Sequence, residues 1–320
     1  MLRLVFFGTP DFAVPTLGAL IASRHEVVGV VTQPDRPVGR GQRVRPSPVK
    51  TLALEQGLPV WQPDRLRDEG FMAAMQAVAA DLGVVAAYGR ILPEPLLALP
   101  RLGMVNVHAS LLPAWRGASP VQHAVMAGDR ETGVTIMRVV KALDAGATFA
   151  RIVRPIGPDE TAGDVERDLA GLGAGLLVDV LEAIERGTAA ETPQDEAHAT
   201  YAPRLTKDDG RLDWSLPAPS LHDRVRGLQP WPMAYAWLDG RRLTFWRVRP
   251  VPRRGEASPP PPGTIVEAAG GHLVVAAGAG TAVEVLELQP EGKRPMAARD
   301  FLAGHRLPAG ACFDAGPPAS

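Results

Sequence analysis

The sequence predicts an α/β domain built on a mostly parallel sheet, followed by a small second domain made of short strands. Three observations carry that expectation. In the first half, apolar and β-branched runs alternate with segments of helical spacing, the succession that arises when parallel strands are joined by crossover helices. After one long helical segment the chain turns polar and loses its period. Beyond that segment, short strands follow one another closely, as in a β-barrel. A chain of 320 residues, 46% of them hydrophobic, can bury a core in each part.

Taken in order, 2–7, 26–31, 83–87 and 104–107 read as buried strands, and 11–23, 49–56 and 67–80 as helices. The first strand runs into Gly8, Thr9, Pro10 and Asp11, a turn with proline placed to open a helix. No G-x-G-x-x-G follows that strand, so a bound dinucleotide is not expected. The glycines Gly171, Gly173 and Gly175 fall instead inside the helical segment 161–186, where they read as close helix packing. Runs 132–139 and 148–155 have no helix between them, which predicts an antiparallel addition at the edge of the sheet. Residues 187–207, rich in Thr, Glu, Asp and Pro, read as a linker. Strands at 235–238, 243–248, 263–266, 273–276 and 283–288 make up the expected barrel. The predicted division is an α/β domain at 1–188, a linker at 189–208, the barrel at 209–308 and a mobile tail at 309–320.

Composition narrows the function classes. The single cysteine, Cys312, excludes an internal disulfide framework and a cysteine-built zinc site, and fits a reducing, cytoplasmic setting. Pro10 and Asp11 interrupt the first apolar run, so no secretion signal is expected, and no stretch approaches the ~18 apolar residues of a membrane span. Nothing in the sequence demands more than a monomer. A formal net charge of -1 leaves any nucleic-acid contact to local patches. Two are present. Between Gln33 and Lys50, the cations Arg36, Arg40, Arg43, Arg45 and Lys50 face only Asp35, and from Arg211 to Arg254 nine arginines face three aspartates. Such runs are ordinarily solvated surface.

The chemistry-bearing stretch is Met104 to Gly117. Alternate strand residues share a face, so Asn106 and His108 converge at the strand's carboxyl end, with Ser110 opening the loop beyond. That edge is where open α/β sheets bind ligands. Leu143, Asp144, Ala145 and Gly146 form an acidic turn after the strand at 132–139. A lone Asp-x-Gly is usually only a turn, but a carboxylate that orients a histidine is the arrangement expected when the histidine handles protons.

The runs FFGTPDFAVP at 6–15, TQPDRPVGRG at 32–41, PSPVK at 46–50, AAYGRILP at 86–93, NVHASLLPAWRGASPVQ at 106–122, ETGVTIM at 131–137, LDAG at 143–146 and QPWPMAY at 229–235 together resemble the methionyl-tRNA formyltransferases, in order and over nearly the whole chain. The resemblance implies a Rossmann-like formyltransferase domain followed by an OB-like, tRNA-binding barrel, with no metal. It implies catalysis by Asn106, His108 and Asp144, with Ser110, Leu111, Leu112 and Pro113 lining a tetrahydrofolate site. The loop Tyr88, Gly89, Arg90, Ile91 and Leu92 would offer backbone to the pterin. The formyl donor is then 10-formyltetrahydrofolate and the acceptor the methionyl amine of initiator tRNA. Arg36, Arg40, Arg43, Arg45 and Lys50 would meet the acceptor end, and Arg241, Arg242 and Arg247, with Arg211, Arg224, Arg226 and Arg249, the tRNA backbone. One departure stands out: around the aspartate this chain reads VVKALDAGAT, with Lys141, Ala142 and Ala147 where the family often has acidic residues or glycine.

Direct formyl transfer passes through a tetrahedral species with a negative oxygen, which calls for preorganised donors. Asn106 and a protonated His108 are the expected pair, with Asp144 holding the imidazole in register and favouring its charged form. The rival readings are a formyltransferase or formyl hydrolase acting on a small amine or on water, and a tRNA binder without activity. A small acceptor has no need of a second domain or an arginine loop, and a binder has no use for the Asn106, His108 and Asp144 triplet.

Overall fold

The computed structural model describes residues 1–38, 43–252, 260–308 and 310–313. They fall into two compact units, Met1–Pro120 with Glu131–Pro155 and Glu166–Pro203, and Val121–Arg130 with Ile156–Val165 and Arg204–Ser320. Most of the tail expected at 309–320 lies outside the described residues.

The first unit opens with β1 (Arg3–Gly8), a 3-10 turn at Asp11–Ala13, α1 (Val14–Ala22) and β2 (Glu26–Val31). The helix begins later than its pattern predicts, because Asp11–Ala13 winds as the tighter turn and Pro15 then occupies the first turn of α1. A hairpin of β3 (Arg36–Val38) and β4 (Arg43–Arg45) follows, then α2 (Pro48–Glu55), capped by the Ser47 side chain, and β5 (Val60–Trp61). Asp68 caps α3 (Glu69–Val78), which leads through β6 (Leu82–Ala86) and α4 (Glu94–Leu97) to β7 (Met104–His108) and β8 (Arg116–Gly117). After α5 (Pro120–Ala127) come β9 (Glu131–Arg138), β10 (Thr148–Pro155) and the 25-residue α6 (Ala162–Arg186).

The sheet of the first unit runs β10-β9-β7-β6-β1-β2-β5. Its five strands from β7 to β5 are parallel, and β9 and β10 pair antiparallel at the edge, as the missing crossover predicts. The order reverses at β1: the chain builds outward to β2 and β5, then returns to place β6 and β7 on the other side. A crevice at the carboxyl ends of the strands follows from that reversal. One sheet face is filled by Val5, Phe7, Val85, Tyr88 and Met104 against Phe71 and Met75 of α3. Behind β7, the glycine cluster does what close packing requires at one position. A Cβ on Gly173 would stand 2.7 Å from Val107 Cγ1 and 3.1 Å from Val134 Cγ1, whereas Gly171 and Gly175 face open space. Gly173→Val should therefore cost about 1–3 kcal/mol by overpacking, read as a lower urea midpoint, while Gly171→Ala should not lower it.

The segment expected to be a linker is not a free tether. Thr192 bridges Thr148, and β11 (Tyr201–Ala202) pairs with β8. The expectation fell short because the partners lie far upstream in sequence, where a local reading of polarity cannot find them.

In the second unit, α7 (Ala218–Gly227) precedes β12 (Ala234–Leu238), β13 (Arg241–Val251), β14 (Ile265–Ala269), β15 (His272–Ala276), β16 (Ala282–Pro290), β17 (Met296–Ala297) and α8 (Ala298–Gly304). The strands form an antiparallel sheet in the order β12-β13-β16-β15-β14, with β17 on β16. Trp214, Phe245 and Phe313 pack ring to ring in its core, at centroid distances of 5.1–5.6 Å. Two short segments from the first half of the chain join this unit: a Cβ on Gly227 would meet Met126, and Arg226 donates to the carbonyls of Gly157 and Glu160.

Candidate active site

Asn106 and His108 sit where the alternation places them, on one face of β7 as it ends, between β6 and β9. His108 is 5% exposed, and Asn106 is half-buried with no side-chain hydrogen bond among the described residues. Its amide is thus uncommitted. The His108 ring is bonded at one nitrogen and faced at the other: Nε2 lies 3.0 Å from the carbonyl of Trp115, and Nδ1 faces Asp144 Oδ2 at 3.7 Å, beyond hydrogen-bond length. Because a carbonyl only accepts, Nε2 carries the hydrogen of the neutral ring and Nδ1 is the atom turned to the carboxylate.

Asp144 reaches His108 from the loop after β9. Its backbone is left-handed, with φ 48°, and its Oδ2 accepts the Gly117 amide at 2.8 Å. Two residues on, Gly146 is required by space, since a Cβ there would lie 1.9 Å from the Arg138 carbonyl oxygen. The tripeptide Trp115, Arg116 and Gly117 therefore grips both ionisable groups through its backbone. Sequence reasoning gave these three residues no role. Arg116 in particular, an arginine in a loop, is only 2% exposed. Its guanidinium pairs with Glu196 at 2.7 and 2.8 Å, which raises its already high pKa. Nothing local in the sequence signals a partner so far downstream.

The loops expected to line a folate site divide. Ser110 is fully buried, donating from Oγ to the Ala114 carbonyl at 2.6 Å, and Leu112 is also buried. Leu111 and Pro113 are half-buried. In the other loop, Tyr88 is buried edge-on against Phe7, burial pushes its phenol above the ordinary pKa, and Leu92 is buried beside it. Arg90 is committed to the carbonyls of Pro63 and Asp64 at 2.8 and 2.7 Å. What that loop leaves outward is Gly89 and Ile91, the latter 80% exposed. Val140 and Leu143 are exposed on the Asp144 loop, and Lys141 pairs with Glu94 at 3.3 Å, tying that loop to the start of α4.

The basic segment is a hairpin in which Arg36 and Arg45 stand opposite each other, both exposed. Like charges directly opposed are unfavourable unless an anion screens them. Arg40 lies outside the described residues, and of Arg43 only the backbone, in β4, is described. Lys50 is not a free cation: its Nζ lies 2.5 Å from Asp35, whose carboxyl this contact holds below the usual range, with Gln62 assisting. In the second unit Arg211, Arg241, Arg247 and Arg249 are exposed, while Arg242 lies over the Tyr235 ring at 3.9 Å. Arg226 is buried and Arg224 donates to the Asp209 carbonyl, so these two serve the fold and not the outer surface. Among the described residues no His, Cys, Asp or Glu group is placed to hold a metal, and no helix is long and apolar enough to cross a membrane.

Comparison with known proteins agrees with this architecture. A formyl transferase family model matches residues 2–181, and a model of the formyl transferase C-terminal domain matches 204–306. A methionyl-tRNA formyltransferase of Methylococcus capsulatus is 50% identical over 306 residues, covering 96% of this chain and 98% of that protein. At lower identity, the fold is shared with HypX from Aquifex aeolicus solved with tetrahydrofolic acid (TM-score 0.61, 18% identity, 94% of this chain). This chain spans only 47% of HypX. The fold is shared too with an N-formyltransferase from Helicobacter canadensis, solved with folinic acid and dTDP-3-aminofucose (TM-score 0.64, 14% identity, 91% of this chain and all of that one).

Proposed function

The chain belongs to the formyl transferase family, and from that membership we propose that it transfers the formyl group of 10-formyltetrahydrofolate to the amino group of methionyl-initiator-tRNA. The observation that carries this reading is the 50% identity to a methionyl-tRNA formyltransferase along 96% of the chain. The structure supports it by bringing His108 and Asp144 together beside the uncommitted amide of Asn106. The protein acts as a monomer in the cytoplasm, with an α/β catalytic domain and a C-terminal tRNA-binding domain.

The residues at the strand ends fit a folate. A pterin needs apolar faces and backbone polar groups, and exposed Ile91, Val140 and Leu143 on the two loops supply the first, the 88–92 backbone and the Leu111–Pro113 turn the second. Bound folate supplies the formyl carbon. Asn106 donates to the formyl oxygen as it turns negative, where a preorganised amide acts with no reorganisation. We assign His108 a different part from the oxyanion donor expected of it. With Nε2 at the Trp115 carbonyl and Nδ1 at Asp144, this pair relays the protons: the methionyl nitrogen bonds the formyl carbon and gives up its proton to the pair, which returns one to folate N10 as the formyl C–N10 bond breaks.

The exposed Arg36 and Arg45 of the hairpin meet acceptor-stem phosphates, with Arg40 and Arg43 between them in sequence. Lys50 holds the base of the hairpin through Asp35. Arg241 and Arg247 contribute from the second unit, and Arg242 stiffens that surface from its place over Tyr235. A formyltransferase acting on a small amine is the second reading. A second domain does not by itself argue against it, since the Helicobacter canadensis protein shares the fold over 91% of this chain. The arginine hairpin and the close relative do.

Incubating the purified chain with 10-formyltetrahydrofolate and methionyl-initiator-tRNA should yield formylmethionine on deacylation; recovery of unmodified methionine alone would sink the proposal. Arg36→Ala with Arg45→Ala should flatten the dependence of tRNA binding on salt by about two in log–log slope, one for each lost phosphate contact. Folate affinity should not move. A wild-type salt slope in that double variant would return the hairpin to ordinary solvated surface.

A further inference from the structure

We propose that Gln194 is a positioning residue for formyl transfer, holding the turn that carries Asp144 against the strand end that carries His108. What the turn does chemically rests on the function proposed above; the geometry does not.

Gln194 Nε2 donates to the backbone carbonyls of Asp144 and Gly146 at 2.8 and 2.7 Å, while its Oε1 accepts from Arg116 Nη2 at 2.8 Å and Nε at 3.1 Å. A primary amide suits this place because it donates twice at one end of its plane and accepts at the other. A carboxylate would satisfy Arg116 but set negative oxygens against two carbonyls. The turn gains from such a hold: Asp144 is in the left-handed region, at φ 48°, which costs a side-chain-bearing residue some free energy, although aspartate tolerates it better than most. Gln194 bonds that turn from one side, and the Gly117 amide fixes the carboxylate from the other.

Arg116 joins the two halves of the clamp. Its side chain anchors Gln194, and its chain neighbours make the backbone contacts to His108 and Asp144. Glu196 completes the anchor by pairing with the same guanidinium. A stretch whose composition reads as a linker thus reaches back 50 residues to set the catalytic turn.

Gln194→Glu separates positioning from mere support, because it keeps side-chain length and the Arg116 acceptor while losing both donors to the turn. In the full chain, the Gly117 amide resonance in a ¹H–¹⁵N spectrum reports its bond to Asp144 without any substrate, and it should move upfield in the variant. Turnover, read at a temperature where the variant is still folded, should fall about tenfold, the order expected for one or two lost hydrogen bonds, with KM for folate near wild type. Gln194→Ala should move the same resonance and lower turnover at least as much, with an added loss of stability because it also strips buried Arg116 of an acceptor. An unmoved Gly117 resonance overturns the proposal, whether activity is kept or falls only in step with the thermal midpoint. If the wild-type chain formylates no tRNA, the functional reading fails alone, and the resonance still decides whether Gln194 sets the turn.

Discussion

Asn106→Ala should lower the turnover number for formyl transfer by on the order of 10²- to 10³-fold, the loss typical of removing one oxyanion donor. Asn106 is half-buried at the end of β7 and has no competing side-chain bond among the described residues, so truncating it removes a donor without stranding a buried partner. Stability should therefore change little, and KM for folate should stay near wild type, because the interaction is made only as charge develops. His108→Ala should be at least as harmful in turnover, but it also releases the Trp115 carbonyl and costs some stability. Steady-state kinetics beside a denaturation curve distinguish the two. Wild-type turnover in Asn106→Ala would remove that amide from the mechanism.

Gly146→Ala should reduce turnover by on the order of 10²-fold, because a displacement of about 1 Å in a positioned group suffices for that loss. The added methyl would lie 1.9 Å from the Arg138 backbone oxygen, and backbone, unlike a flexible side chain, cannot step aside. The turn must shift, and Asp144 shifts with it. Folding should survive, because Gly146, though itself buried, sits in a turn whose neighbouring residues are half-buried or exposed. Kinetics at saturating folate and tRNA provide the check; unimpaired turnover would mean that the placement of Asp144 does not limit the reaction.

Much of this fold was legible because its signals are local. Strand and helix periods located β1, β2, β6 and β7, the missing crossover after 132–139 announced the antiparallel β9 and β10, and alternation along β7 put Asn106 and His108 on one face. The site was legible only in part. The approach of Asp144 to His108 joins distant positions, and spacing alone cannot report it. The buried state of Arg116 and the donor role of Gln194 were hidden for the same reason: an arginine in a loop and a glutamine in a polar stretch look solvated until their partners are known. Charge counting erred in a related way. It weighed Lys50, Arg224 and Arg226 with the free cations, whereas an ion pair, a backbone carbonyl and burial commit each of them to the fold.

Whether the acceptor is the methionyl group on initiator tRNA is decided by comparing kcat/KM among acceptors. With 10-formyltetrahydrofolate as donor, initiator methionyl-tRNA, elongator methionyl-tRNA and a free amine such as methionine methyl ester would be compared at one salt concentration, since salt alone shifts tRNA affinity. Initiator methionyl-tRNA should exceed both others by orders of magnitude in kcat/KM, and its advantage over the free amine should shrink when Arg36 and Arg45 are replaced together. Equal kcat/KM for the free amine and the charged initiator tRNA would contradict the tRNA assignment and leave a small-amine formyltransferase in its place.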